Sequence, residues 1–350
     1  MLTVDVFRGD AAEAAAFTTD AWRAAYAGRG FHPEWSAEYI ARQLMDLPDL
    51  DRVHCLGAYD RNRLIGFFAA EEMDFRTPAG VVRGTMSSWL SVAPDCGIPG
   101  VGTAMQKAMW DWQISRNTAF MIGFVNAGLV RGKGRSFWLS RVPEASIFRR
   151  PAIWAHILRP QVAAQAHPTR LEGFGVRVLS RLQRKPMLIR DVEIRDYRPE
   201  DINACRALFD QLEAVPFGYS WTPERLAHQL ASRDGNRTFV LVGSGGVEGF
   251  AAVSRLNLTC RGTVRCAVLD FFSVRAAAQE RAVNFLRTCL ASLAPDFDAV
   301  LALGPPVHEA TLLRRGGLLP MPPSQAMIFL PIDKDTLPPS PKSRILVHWR

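Results

Sequence analysis

Apolar positions along the chain change period in a fixed order. Residues 11–26 and 34–45 are rich in alanine, with apolar side chains three and four apart, and predict helices. Val53–Tyr59 and Leu64–Met73 predict two strands, with Asp60-Arg61-Asn62-Arg63 as the turn between them. Val81–Val92 predicts a third strand, and Phe120–Asn126 an apolar run of the kind buried in parallel sheets. Between these last two, Val101, Ala104, Met105, Ala108, Met109 and Trp112 line one face of a helix. A strand, a crossover helix and a parallel strand form a right-handed unit.

The order then recurs. Gly66-Phe67-Phe68-Ala69-Ala70 is matched by Gly249-Phe250-Ala251-Ala252-Val253, and Ser91-Val92 by Ser273-Val274, at an offset of 182–183 residues. Arg237–Leu241 and Val264–Val274 predict strands around the second set, Ala276–Leu293 a helix and Ala299–Leu303 a buried strand. His308–Leu319 and Ala326–Pro331 predict a closing helix and strand. At 350 residues the chain is long enough for two such units.

The segment Val92–Val101 carries the candidate chemistry. Gly97, Gly100 and Gly102 bring backbone N–H groups together at the head of a helix, an arrangement that holds phosphates. It is not a Walker loop, because Thr103 and Ala104 follow Gly102 and no lysine precedes Lys107. It is not the dinucleotide fingerprint either, since the glycine spacing runs in reverse.

The segment resembles the GNAT acyltransferase superfamily, whose acyl-CoA signature is Val-x-Pro, a short gap, then Arg or Gln-x-x-Gly-x-Gly or Ala. Val92, Pro94, Gly100 and Gly102 match it, Gly97 takes the Arg or Gln position, and Pro99 supplies no N–H. The strand and helix order of the first 126 residues fits the same topology. The resemblance implies an α/β fold of two tandem GNAT-like domains, each a mixed sheet flanked by helices. The expected division is an acyl-CoA-binding domain over 1–148, a connector over 149–188, a second domain over 189–334 and a flexible proline-containing tail over 335–350.

It also implies acetyl-CoA or another acyl-CoA as co-substrate, no metal, and direct attack of an amine on the thioester. Leu90, Ser91 and Val92 would pair with pantetheine like an added strand. Gly97, Ile98, Gly100, Val101, Gly102 and Thr103 would surround the pyrophosphate, and Asn126 would stand at the end of the neighbouring strand. The repeat puts Gln279, Ala282 and Asn284 where Gly97, Gly100 and Gly102 stand, so the second copy lacks this loop.

Two carboxylates are candidates for the general base. Glu72 shares a strand face with Asp74 while Glu71 faces the other way, and Asp270 interrupts an apolar strand at the register of Ser88. The alternatives are solvated acids at Glu71 and Glu72, and an ion pair of Asp270 with Arg261, Arg265 or Arg275. No tyrosine follows Phe120–Asn126, which leaves Asn126 and Ser136 as the polar groups near the leaving thiol. A thiol of pKa about 8.5 departs as thiolate without help.

Charge adds a third element. Residues 131–185 hold twelve Lys or Arg against Glu144 and Glu172, a local +10, while the rest of the chain sums to −2. Within them Leu171, Phe174, Val178, Leu179 and Leu182 form an apolar stripe beside Arg177, Arg181, Arg184 and Lys185, and Ile153, Trp154, Ile157 and Leu158 form a second apolar group. Either the stripe is buried between domains, or residues 150–185 touch an anionic membrane. Nucleic acid fits less well, since no base-stacking signature or DNA-reading helix accompanies the charge.

The six cysteines show no metal-ligand spacing and are expected as free thiols. No apolar run reaches the roughly 20 residues that cross a bilayer, and the first residues lack a signal core, so a cytoplasmic location is expected, peripheral to the membrane at most. The function expected is acyl-CoA-dependent N-acylation of a small amine. The alternatives are a membrane-associated enzyme using a longer acyl chain or a lipid amine, and a non-catalytic acyl-CoA-binding protein.

Overall fold

The computed structural model describes residues 1–26, 28, 30–126, 137–138, 140–189, 192–213, 215–233, 235–304, 307–321, 325–340 and 344–347. The strands of its first part are β1 (Leu2–Val6), β2 (His32–Glu34), β3 (Val53–Asp60), β4 (Arg63–Thr77), β5 (Gly80–Val92), β6 (Phe120–Asn126), β7 (Ser146–Arg149) and β8 (Ile153–Ile157). Then come β9 (Glu193–Asp196), β10 (Phe217–Ser220), β11 (Arg237–Gly243), β12 (Gly246–Thr259), β13 (Thr263–Val274), β14 (Ala299–Leu303), β15 (Leu319–Pro320), β16 (Gln325–Pro331) and β17 (Ile345–Leu346).

They build two mixed sheets of one design. The first runs β1-β3-β4-β5-β6-β16-β7 and the second β9-β11-β12-β13-β14-β8-β15. In each, an antiparallel meander ends in one parallel pair, β5 with β6 and β13 with β14. The sequence repeat is a repeat of register: Gly66 faces Val92 and Phe67 faces Ser91, as Gly249 faces Val274 and Phe250 faces Ser273.

The sheets are nevertheless not two contiguous halves of the chain. Ala326–Pro331, expected to close the second unit, pairs with β6 in the first sheet, while β8, from the expected connector, pairs with β14 in the second. The tail is not flexible throughout either, because β17 pairs with β10 and Ile345, Leu346 and Val347 are buried. Short strands also cross over, β2 onto β12 and β10 onto β4.

Alternation along β4 sets the two faces of the first sheet. Phe67 and Ala69 pack with Trp35, Tyr39 and Ile40, contributed by the segment after α1 (Ala11–Tyr26) and by α2 (Ala37–Ile40). Phe68 and Ala70 pack on the other face with Val101, Met105 and Met109 of α3 (Val101–Ser115). Gly66 makes this close approach possible, for a Cβ there would stand 2.7 Å from Met105 Cε.

Two helices follow β8, α4 (Pro160–Ala166) and α5 (Arg170–Leu182). In the second sheet α8 (Ala282–Leu293) covers Leu241, Ala251 and Val253, while α6 (Ile202–Glu213) and α7 (Pro223–Leu230) cover Phe250, Ala252 and Phe271. This last core is continuous with Phe75, Phe120, Met327 and Phe329 of the first sheet, so both sheets share it. A short helix, α9 (Ala310–Gly316), precedes β15.

Local expectations shift at three ends. The segment expected as helix from residue 34 begins as β2, and its helix starts at Ala37, where Ser36 accepts the Tyr39 N–H at 3.1 Å. Ala276–Arg281 forms a 3-10 turn before α8, and α9 is shorter than His308–Leu319.

Candidate functional site

β5 and β6 part in the middle of the first sheet. They pair in parallel from Gly84–Phe120 to Ser87–Gly123 and no further, while β6 continues to Asn126 against β16. Beyond Ser87 no backbone pairing joins the two strands, an opening in the ladder that extends toward Val92 and Asn126. At this point β5 also carries a bulge: Ala69 faces Ser88 but Phe67 faces Ser91, so three steps on β5 answer two on β4, and Trp89 and Leu90 together stand across from Phe68.

The bulge turns on Trp89, whose φ is 59°, an unusual value for a large side chain. Packing holds it there. Trp35 lies edge-on to Trp89 at 5.6 Å, Tyr39 contacts the ring at 6.4 Å, and Trp22 of α1 lies edge-on to Trp35 at 5.7 Å. Trp22 Nε1 donates to Ser91 Oγ at 2.8 Å, which fixes the strand end from the helix side.

Between the end of β5 and α3 lies the glycine segment. Gly97 and Gly100 have φ of 62° and 81°, the left-handed region that favours glycine, and a Cβ at either would meet nothing within 4 Å. Gly100 caps α3 without a side-chain hydrogen bond. The first N–H groups of the helix, on Val101, Gly102 and Thr103, therefore lack side-chain caps beside open space and carry the positive end of the dipole. Phe137 stands 3.4 Å from a Cβ built on Gly102, giving that side an aromatic wall. Pro99 is exposed. Leu90–Val92 close β5, the glycine segment leads into α3, and Asn126 closes β6 opposite Gln325.

The candidate bases are elsewhere. Glu72 faces Thr85, in the part where β5 and β6 are still paired. Its carboxylate is 2.7 Å from Arg116 Nε, at the end of α3, and 3.3 Å from Arg83 Nε, with the side chain 1% exposed. Two guanidinium groups stabilise its charge and occupy its lone pairs, so Glu72 is corrected from base to structural ion-pair partner. Glu71, on the opposite face, is 3.1 Å from Arg225 Nη2 of α7.

Asp270 lies in the second sheet, at the matching bulge: Ala252 faces Phe271 and Val253 faces Leu269. Ser254 Oγ donates to its carboxylate, which is buried in the second sheet, where the sequence places it. Of its three candidate partners, Arg265 pairs with Asp298 at 3.0 Å. Ser136 lies outside the described residues.

The second opening has no glycine segment. Gln279 Nε2 donates to the Val274 carbonyl at 2.8 Å, and Arg281 pairs with Glu248. His308 is buried nearby. Burial holds its imidazole at about 4, although the Leu269 carbonyl and Asp270 favour the charged form, and burial likewise lowers His228 to about 4. Between pH 6.5 and 4 the unfolded chain therefore takes up protons that the folded chain refuses, and stability falls as pH drops through that window. Thermal midpoints measured from neutral pH down through that window should decline, and His308→Asn should make the decline shallower. An unchanged slope would contradict this.

Sequence reasoning missed the aromatic group around Trp89. Tyr39 reaches the bulge from α2 rather than from the strand after β5, and it also lines a small cavity with Glu34, Ser36, Asn236, Arg255 and Asn257. All six cysteines are free, and no cluster of three or more metal-ligating side chains occurs among the described residues. No described helix is long and apolar enough to cross a membrane.

No protein-family model matches the sequence, and no curated protein matches it significantly. Solved structures do match in fold. N-myristoyltransferase from Saccharomyces cerevisiae with bound myristoyl-CoA superposes with a TM-score of 0.77 at 13% identity, over 100% of this chain and 89% of that one. A second structure of that enzyme with bound myristoyl-CoA gives 0.72 at 12% identity, over 94% and 79%. A conserved protein of unknown function from Enterococcus faecalis V583, described as a probable N-acyltransferase, gives 0.55 at 11% identity, over 95% and 73%. With its two sheets of repeated register, this chain has the tandem GNAT-like fold of the acyl-CoA N-acyltransferases.

Proposed function

We propose that the chain is an acyl-CoA-dependent N-acyltransferase whose co-substrate lies in the first sheet's opening. The observation that carries this reading is the parting of β5 from β6 after Ser87, next to a left-handed glycine segment with an uncapped helix start. The fit is chemical. Strand-edge groups of Leu90–Val92 offer pantetheine amides a ladder, and the N–H groups of Val101, Gly102 and Thr103 offer the diphosphate donors.

Backbone N–H groups at the bulge then polarise the thioester carbonyl. The neutral amine attacks, a C–N bond forms, the C–S bond breaks, and CoA leaves as thiolate while the amine proton passes to water. The second sheet, without a glycine segment, serves as a wall rather than a second site.

Calorimetric titration with acyl-CoAs from acetyl to myristoyl tests the reading and gives the acyl length. Gly100→Val, which puts a branched side chain into the cradle, should weaken binding about 10- to 150-fold, the worth of one charge-assisted hydrogen bond. Binding of none of the series by the folded wild-type protein overturns the proposal. Tight binding without thiol release in the presence of amines would favour a non-catalytic acyl-CoA-binding protein.

A further inference from the structure

The apolar stripe of the basic segment is not buried between the sheets. In α5 the side turned inward is Gly173 and Val176, and Gly173 is pressed against α4, where a Cβ would stand 2.4 Å from the Ala164 carbonyl oxygen. The side turned outward carries Leu171, 79% exposed, Phe174, 62%, Val178, 40%, and Leu182, 71%. Met187 and Leu188, just beyond the helix, are also exposed. This is a continuous apolar row of the length of the helix, standing in solvent.

Arg170, Arg177 and Arg181 follow the same helical spacing one step around and border the row on one side; Arg184 and Lys185 extend the border past the helix end. All five are exposed, and none has a carboxylate within 4.0 Å among the described residues. The one acid of the helix, Glu172, is engaged at the other end with Thr169 in a capping box. The cap and the packing on α4 hold the helix without using the row.

We propose that α5 is a docking surface for an anionic lipid bilayer, lying in the interface with Leu171, Phe174, Val178 and Leu182 in the acyl boundary and its arginines against phosphate headgroups. Charge decides the occupant. In a second copy of this chain the row would meet another arginine border, like against like, with no acid across it. Nucleic acid would satisfy the arginines but face the apolar row with phosphates. An anionic membrane satisfies both sides of the helix at once.

Co-sedimentation of the full chain with phosphatidylcholine vesicles, with and without phosphatidylglycerol, tests this. Binding should require the anionic lipid. The double variant Arg177→Gln, Arg181→Gln should lower the partition coefficient about 30-fold, at about a tenfold change per 1.4 kcal/mol and about 1 kcal/mol per cation. Leu171→Ser with Phe174→Ser should abolish binding while thermal midpoint and acyl-CoA binding stay unchanged, so a failure here is distinguishable from a failure of the proposed enzyme activity. No binding to the anionic vesicles overturns the proposal. So does binding insensitive to the serine variants, which would mark a general polyanion site, or a dimer in solution that those variants dissociate.

Discussion

Replacing Arg225 by alanine is expected to destabilise the protein by about 3–5 kcal/mol, enough to unfold much of it. Arg225 is 2% exposed and lies between Glu71 of the first sheet, at 3.1 Å, and the ring of Trp221, at 5.4 Å from its guanidinium carbon. Its removal leaves the Glu71 carboxylate buried without its guanidinium partner, and that desolvated charge, not the lost pairing, is the larger cost. Replacing both, with Arg225→Met and Glu71→Leu, should therefore recover most of the loss. Urea titration followed by tryptophan fluorescence measures both, with Trp221 beside the change. A loss below about 1 kcal/mol for Arg225→Ala would mean that water reaches Glu71.

Deleting residues 325–350 is expected to prevent folding of the whole chain rather than of one part. β16 lies between β6 and β7, and its Met327, Ile328, Phe329 and Leu330 are buried to 1% or less. At about 1.5–3 kcal/mol each, these four side chains supply about 6–12 kcal/mol, as much as the net stability of a typical domain. For the same reason residues 1–150 alone should be insoluble or lack a cooperative melt, and co-expression with residues 151–350 should restore both. A folded, cooperatively melting 1–150 fragment would show that the first sheet closes without β16.

Much of this architecture was legible in the sequence because it is local. The order of Gly97, Gly100 and Gly102 sets backbone geometry directly, and the Gly66 and Gly249 repeats mark equal positions in equal sheets. What escaped depends on distant partners. Nothing in Ala326–Pro331 says which of two similar sheets it joins, since both offer an apolar parallel strand with an open edge. The base assignment to Glu72 failed because Arg116 reaches it only when the end of α3 lies over β4. Trp89 could not be read as the bulge residue, because its side chain disfavours the conformation that Trp35 and Tyr39 impose. The amphipathic pattern of α5 was plain, but a pattern does not say whether a face is covered.

The exchange of β8 and β16 also bears on how the chain is born. β6 emerges from the ribosome about two hundred residues before the strand that will pair with it, so at ordinary elongation speeds its edge waits about 10–40 s. Through that interval β7 also lacks its neighbour, since β16 lies between β6 and β7. The nascent polypeptide completes its first sheet only after every strand of the second has been synthesised, because β16 follows β15.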